Sequence, residues 1–145
     1  MVEATYFKID IAREYLDAAI NFFLARDNLF CAIHLAAAAE ELFGAHLPKP
    51  ERIFTIALRA ERAFILENPM LPEALSDADV NKKARKNVNE WSNKVKHMDD
   101  GESSTLEVDP AFAAEHHIEQ ALINFHKLGL QKSAAIWKFE ARRAD

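Results

Sequence analysis

The sequence contains few of the residues that interrupt helices. Its 145 residues include only three Gly and five Pro. Sheets and irregular folds need many turns, whereas long helices joined by short loops need few. The scarcity of both residues therefore predicts an all-α fold. The length is typical of one domain, and a hydrophobic content of 50% is enough for one core.

Cysteine and long hydrophobic runs are also scarce. Cys31 is the single cysteine, so an internal disulfide is excluded, and its apolar neighbours predict a buried, inert thiol. The longest uncharged run, residues 28–39, is too short to span a bilayer. Charged residues near the N-terminus, such as Lys8 and Asp10, leave no room for the hydrophobic region of a signal peptide. We therefore expect a cytoplasmic protein with no membrane partner.

Positive charge is in deficit over the whole chain. Lys and Arg number 18 against 23 Asp and Glu, which gives a net charge of −5. Dedicated nucleic-acid-binding proteins usually carry a basic excess, because neutralising phosphates supplies much of their affinity. The chain thus has no DNA-binding signature, although its composition is compatible with a local basic patch.

Apolar residues recur every three or four positions along most of the chain, which predicts five or six helices in one domain, residues 1–145. The predicted helices span about residues 4–26, 29–45, 51–67, 76–98 and 110–128, followed by a short helix at about 133–142. The core bundle covers about residues 4–128. Asp109-Pro110 is a strong helix start and Gly129 a stop signal. Four consecutive alanines, residues 36–39, predict that the second helix is central.

Most motifs of catalysis and metal binding are missing. The sequence has no Gly-rich phosphate loop, no cysteine pair and no His-Glu-x-x-His motif. His116 and His117 are adjacent and point about 100° apart on a helix, which favours a solvated helix face over a metal site. His34 is predicted to be a hydrogen-bonded core or interface histidine. Glu40 and Glu41 are candidate acid/base groups, but such a pair near a helix end is usually solvated or paired with basic groups. We therefore expect neither a metal nor another cofactor.

One predicted helix, residues 76–98, carries a polar stripe. Arg85, Asn89, Asn93 and His97 recur every four residues, with Lys96 at the edge of the stripe. Asn is a mediocre helix former, so its recurrence is not explained by helix propensity. The stripe is either a solvated face or a polar site at the helix end, where His97 can change protonation near neutral pH.

The segment Ser92-Asn93-Lys94-Val95-Lys96-His97 resembles the Arg-Asn-x-x-Lys-His motif of HEPN proteins. The Ala-rich, Glu-containing stretch at residues 33–42 is similar to the second helix of many members. The resemblance implies an up-and-down helical bundle, often dimeric. In its ribonuclease members it implies metal-independent cleavage, with His as acid or base and Arg stabilising charge on the phosphate. Carried over to this chain, the candidate catalytic residues are His97, Asn93 and Lys96.

The chain departs from this motif at its charge-stabilising position, where Ser92 replaces Arg. Removing such a group typically costs about 100- to 1,000-fold in rate. Arg85 does not compensate within one subunit, because it lies about 18 Å from His97 along an ideal helix. The resemblance therefore predicts a non-catalytic binding protein in a toxin–antitoxin, defence or nucleotide- or RNA-associated system. The alternatives are a weak metal-independent ribonuclease that uses His97, and a structural or adaptor bundle unrelated to HEPN proteins.

A homodimer is expected from the first predicted helix. It carries a second apolar stripe beside its core stripe, formed by Ile11, Tyr15, Ala18 and Phe22. Ten Phe residues are also many for one small bundle to bury. Contiguous exposed apolar surface usually marks an interface.

Overall fold

A computed structural model describes residues 2–52, 82, 86, 88–89, 91–95 and 104–142. Within these ranges the regular structure is entirely helical, as the composition predicts. We name the helices α1 (Lys8–Ala25), α2 (Leu29–Ala45), α3 (Pro110–Lys127) and α4 (Ala134–Ala141), and a 3-10 turn covers Lys49–Glu51. Residues 82, 86, 88–89 and 91–95 are also helical. The predicted helix at about 51–67 lies outside the described residues except at its first two positions.

Helix α1 begins four residues later than predicted. Phe7 is its N-cap in an extended conformation, and no side chain of the described residues caps the helix. Residues 2–7 are non-helical and exposed, including Tyr6 and Phe7. A further helical turn would gain no packing there, and an isolated turn is not stable in water. The later start follows from this lack of tertiary contacts.

Helix α2 occupies the centre of the described bundle, as its alanine run predicts. It packs against α1 on one side and α3 on the other. The small side chains allow close helix approach, and larger ones fill the spaces beside them. Phe43 of α2 meets Phe125 of α3 edge to face, with 5.6 Å between the ring centroids. The fully buried residues of α2 are Ala32, Ile33, Ala36, Ala39 and Phe43.

Both ends of α3 follow the sequence signals. Asp109 Oδ1 accepts hydrogen bonds from the backbone N of Ala111 at 3.0 Å and of Phe112 at 3.2 Å. Pro110 takes the first helical position, where a missing N–H costs nothing. Gly129 has φ +68°, a left-handed conformation in which glycine carries no steric penalty, and the helix ends just before it.

Helix α4 is attached to α1 and α3 at its two ends. Ser133 Oγ caps α4 by accepting from Ile136 N, and it donates to Asp17 Oδ1 of α1 at 2.6 Å. At the other end, Arg142 Nη2 lies 2.8 Å from Glu119 Oε1 of α3. The Arg142 guanidinium also stacks 3.5 Å from the centroid of the Phe139 ring. These contacts place the short C-terminal helix where it was predicted and hold it on the bundle.

None of the helices in the described ranges combines the length and apolar character needed to cross a bilayer.

Candidate functional site

The predicted site residues fall on the helical residues 91–95, which we call the Trp91 segment. Ser92 is buried, with 2% of its surface exposed, whereas Asn93 is half-buried. Lys96 and His97 lie outside the described residues. Trp91 and Val95 of this segment are partly buried and pack against the core. The preceding Val88 is buried. Ser92 therefore lies on the buried face of its helix, beside Asn93 on a more exposed face.

An aromatic cluster surrounds Trp91. Its ring meets Phe112 at 5.5 Å and His116 at 5.0 Å between centroids, with the planes close to perpendicular in both pairs. The centroid of the His117 ring lies 6.2 Å from that of Trp91. Perpendicular rings place the positive edge of one against the negative face of the other, which is a favoured aromatic geometry. Phe112 stays 59% exposed, so this cluster reaches from the core to the surface.

His117 is the buried member of this cluster. It is only 1% exposed, and its Nε2 has no hydrogen-bond partner among the described residues. Burial, with a smaller contribution from neighbouring His116, lowers the pKa of His117 to about 4. The predicted solvated face is therefore wrong for His117, because the Trp91 segment covers this side of α3. A neutral, buried imidazole of this kind suits packing and is far from ideal as a proton carrier at pH 7.

His116 differs from its neighbour because it remains half-buried. Its Nε2 shares a hydrogen bond of 2.9 Å with Gln120 Nε2, one helical turn later. In the described parts of the chain, no group of three His, Cys, Asp or Glu side chains is arranged to hold a metal ion. His117 is therefore buried, whereas the adjacent His116 is partly exposed.

Basic residues concentrate beside this cluster. Residues 82–96, which we call the cationic segment, contain six Lys or Arg and one Glu, whereas the rest of the chain has 12 basic and 22 acidic residues. Among the described members of the segment, Lys82, Lys86 and Lys94 are all exposed. Lys94 follows Trp91 by three residues, so both lie on neighbouring parts of the helix surface. Within the described residues, three exposed lysines thus lie in the sequence segment that contains Trp91.

Glu40 lies in a second polar cluster, inside the α2–α3 contact. It is 8% exposed, and Asn124 of α3 donates to it from a fully buried position. Burial raises the pKa of Glu40 to about 7; the Asn124 hydrogen bond lowers it, and the charge of Glu41 raises it. The expected solvated pair is thus wrong for Glu40, since α3 covers it, while Glu41 is exposed. Asn124 was not predicted, although its place between Ala121 and Phe125 on an apolar stripe is a signal of burial.

Two further side chains of α2 differ in their exposure from the sequence prediction. Cys31 and His34 are both exposed. The local sequence is apolar around both, but they follow Phe30 on the one face of α2 that neither α1 nor α3 covers. Phe30 is itself exposed there. The predictions of a buried thiol and of a core position for His34 are therefore wrong, and an interface position for His34 stays a prediction.

Comparison of this chain with family models, with curated proteins and with solved structures gives no match in any of the three.

Proposed function

We propose that this chain is a HEPN-like helical-bundle protein that binds RNA without cleaving it. The observation that carries the proposal is the burial of Ser92 at the position where the resembling ribonuclease motif has Arg. The binding part is supported by the cationic segment and its exposed lysines. The two parts are separable by experiment.

The non-catalytic part follows from the environment of position 92. A charge-stabilising side chain must reach the phosphate on which charge develops. Ser92 has 2% of its surface exposed, so a side chain at position 92 is not accessible to a phosphate in solvent. Lys94 is exposed nearby, but a lysine does not provide the planar two-pronged contact of Arg with a phosphate. His97 would then lack the partner that makes proton transfer productive.

The proposal of RNA binding follows from the concentration of basic residues in one part of the chain. Contacts between Lys or Arg and phosphates supply the sequence-independent affinity of nucleic-acid-binding proteins. A net charge of −5 does not prevent such contacts where six basic residues gather in one short segment. Screening at physiological salt limits repulsion from charges more than about 8 Å away. The local surface therefore determines whether RNA binds.

Binding is tested with a fluorescently labelled single-stranded RNA of 20 nucleotides and anisotropy at two salt concentrations. We expect binding that weakens as salt rises. The double variant Lys82→Glu/Lys86→Glu should weaken it at least about tenfold, because two phosphate contacts become repulsive. The matched control is Lys8→Glu/Lys138→Glu, which has the same net charge with both changes at exposed sites on other helices. Equal losses in both variants, or no RNA binding at all, would refute the cationic segment as the binding surface.

Cleavage is tested on the same RNA in the presence of a metal chelator. The wild-type protein should leave the strand intact over hours. Rapid cleavage that disappears in His97→Ala would overturn the non-catalytic proposal and establish the weak-ribonuclease alternative. An Asn93→Ala or Lys96→Ala variant would then show whether the remaining candidate residues take part.

We also propose that the bundle forms a homodimer. Large apolar side chains remain exposed on several surfaces of one chain, among them Tyr6, Phe7, Leu24, Phe30 and Ile123. A contiguous exposed apolar surface is typical of an interface, and a dimer would cover such a surface where these side chains adjoin. Analytical ultracentrifugation at micromolar concentration should give twice the chain mass of 16.4 kDa. A single species at the chain mass would remove the dimer.

A further inference from the structure

We propose that Phe112 and Trp91 form a stacking surface for an unpaired base of single-stranded RNA, with Lys94 binding the adjoining phosphate. The inference rests on the proposed RNA binding, and it assigns the contact with a base to particular side chains. It predicts recognition of the nucleobases themselves, which the cationic segment alone does not provide.

The geometry leaves aromatic surface free for a base. Phe112 lies in the first turn of α3 and is 59% exposed, although Trp91 and the helix cover part of its ring. The planes of the Trp91 and Phe112 rings are perpendicular, with 90° between them and 5.5 Å between the centroids. The edge of one ring therefore faces the plane of the other. Trp91 packs against Phe112, and His116 packs against Trp91 with 5.0 Å between the ring centroids. An exposed ring supported in this way offers a base a surface that is already ordered.

The charge around this surface favours a polyanion with aromatic groups. Lys94 is exposed three residues after Trp91, and Lys86 is exposed five residues before it. The acidic side chains nearest in sequence to Phe112 are Asp109 and Glu115. Asp109 Oδ1 accepts from the two backbone N–H groups of the α3 cap, and Glu115 Oε2 lies 3.3 Å from Arg142 Nε. Proteins that bind single strands combine such cationic surfaces with aromatic side chains on which bases stack.

Trp137 of α4 provides the contrast within the same chain. It is 60% exposed, almost the same as Phe112, and Lys132 Nζ lies 4.4 Å from its ring centroid. That lysine, however, is paired with Glu140 Oε2 at 2.8 Å. Trp137 lies outside the cationic segment. Exposure of the ring therefore does not distinguish the two places, and the binding experiment compares them directly.

The first test compares Phe112→Leu with Trp137→Leu in the anisotropy experiment. Both changes remove an exposed ring and keep an apolar side chain, so the fold is retained. Phe112→Leu should weaken binding of a uridine oligomer at least about fivefold, and Phe112→Tyr should restore it, because stacking on one aromatic side chain contributes at this level. Trp137→Leu should bind like the wild type. Equal affinity in all of these variants would overturn the stacking surface.

The second test monitors Trp91 directly. In a Trp137→Phe background Trp91 is the single tryptophan. The uridine oligomer should quench its fluorescence, whereas an abasic strand of the same length should bind more weakly and leave the emission unchanged. Equal binding and equal emission with both strands would overturn the stacking surface and leave phosphate binding intact. Absence of any RNA binding would overturn the proposed function together with this inference, and tighter binding of a poly-glutamate peptide would identify the surface as one for an acidic protein.

Discussion

The side-chain amide of Asn124 donates two hydrogen bonds to Glu40, one to its backbone O at 3.1 Å and one to its Oε1 at 3.2 Å. This contact joins α3 to α2 inside the bundle. Amide and carboxyl groups buried in this way are stable only when they are hydrogen-bonded. The charged groups closest along the chain are Glu41 on α2 and Lys127 on α3, whose Nζ donates to Glu51 O at 2.6 Å. The protonation of Glu40 should therefore influence the stability of the helix pair.

Replacing Glu40 with Gln should change how stability depends on pH. Because the pKa rises from 4.5 to about 7, folded Glu40 keeps a proton that the unfolded chain releases. The associated stabilisation is fully present below about pH 4.5, falls as the pH rises and is lost above about pH 7. Relative to Glu40→Gln, the wild type should lose about 3 kcal/mol across this range. Urea unfolding at a series of pH values measures the difference.

The control for this experiment is Glu41→Gln. Glu41 is exposed, and its charge makes only a minor contribution to the raised pKa of Glu40. This variant should therefore keep most of the wild-type pH dependence. Parallel stability profiles for the wild type and Glu40→Gln would contradict the prediction.

His117→Phe should reveal a pH dependence of the opposite sign. The pKa of His117 falls from 6.5 to about 4, so the unfolded chain takes up a proton before the folded one does. The contribution of neutral His117 is present above about pH 6.5 and is lost as the pH falls to about 4. The wild type should lose up to about 3 kcal/mol relative to the variant over this range. The same change at exposed His34 serves as the control and should leave the shape of the profile unaltered.

Gly44→Ala tests the close approach of α2 and α3. A Cβ at position 44 would lie 3.1 Å from Asn124 Nδ2, and that amide is fixed by Glu40. Although Ala favours a helix over Gly by about 1 kcal/mol, the clash should dominate and lower stability by about 1–2 kcal/mol. In an Asn124→Ala background the same substitution should become stabilising, since the obstructing amide is gone. A stabilising effect in both backgrounds, measured by a double-mutant cycle, would show that the helices have room to adjust.

Ser92→Arg should destabilise the protein without creating a ribonuclease. The substitution places a guanidinium on a face that is 2% exposed, where an unpaired charge costs about 3 kcal/mol or more. Lys94→Arg, on the exposed side of the same segment, is the control and should melt like the wild type. Thermal unfolding and cleavage of labelled RNA are the two measurements. A fully stable Ser92→Arg protein that cleaves RNA through His97 would instead support a degenerate catalytic site.

The candidate site was only partly predictable from the local sequence. Spacing alone indicated a polar stripe containing Asn93, and Asn93 is indeed partly exposed. Trp91 and Phe112 were not predicted, because their contact joins two segments that are separated by about 20 residues in the chain. No local sequence pattern indicates which aromatic rings will be in contact. The burial of Ser92 likewise depends on how its helix packs in the folded chain.

The sequence by itself determined the capped ends of α3 and α4, whereas the start of α1 depended on tertiary contacts. Asp109-Pro110, Gly129 and Ser133 act through hydrogen bonds and backbone angles within about four residues, so their effects are independent of the rest of the fold. Tertiary structure alone decided which face of each helix is covered. Glu40 is buried because α3 lies against it, whereas Cys31 is exposed on the same helix because no described helix does. Successive residues of a helix point about 100° apart, so positions such as Glu40 and Cys31 lie on different faces of α2. Only the helix that packs there determines which side chain is exposed to water.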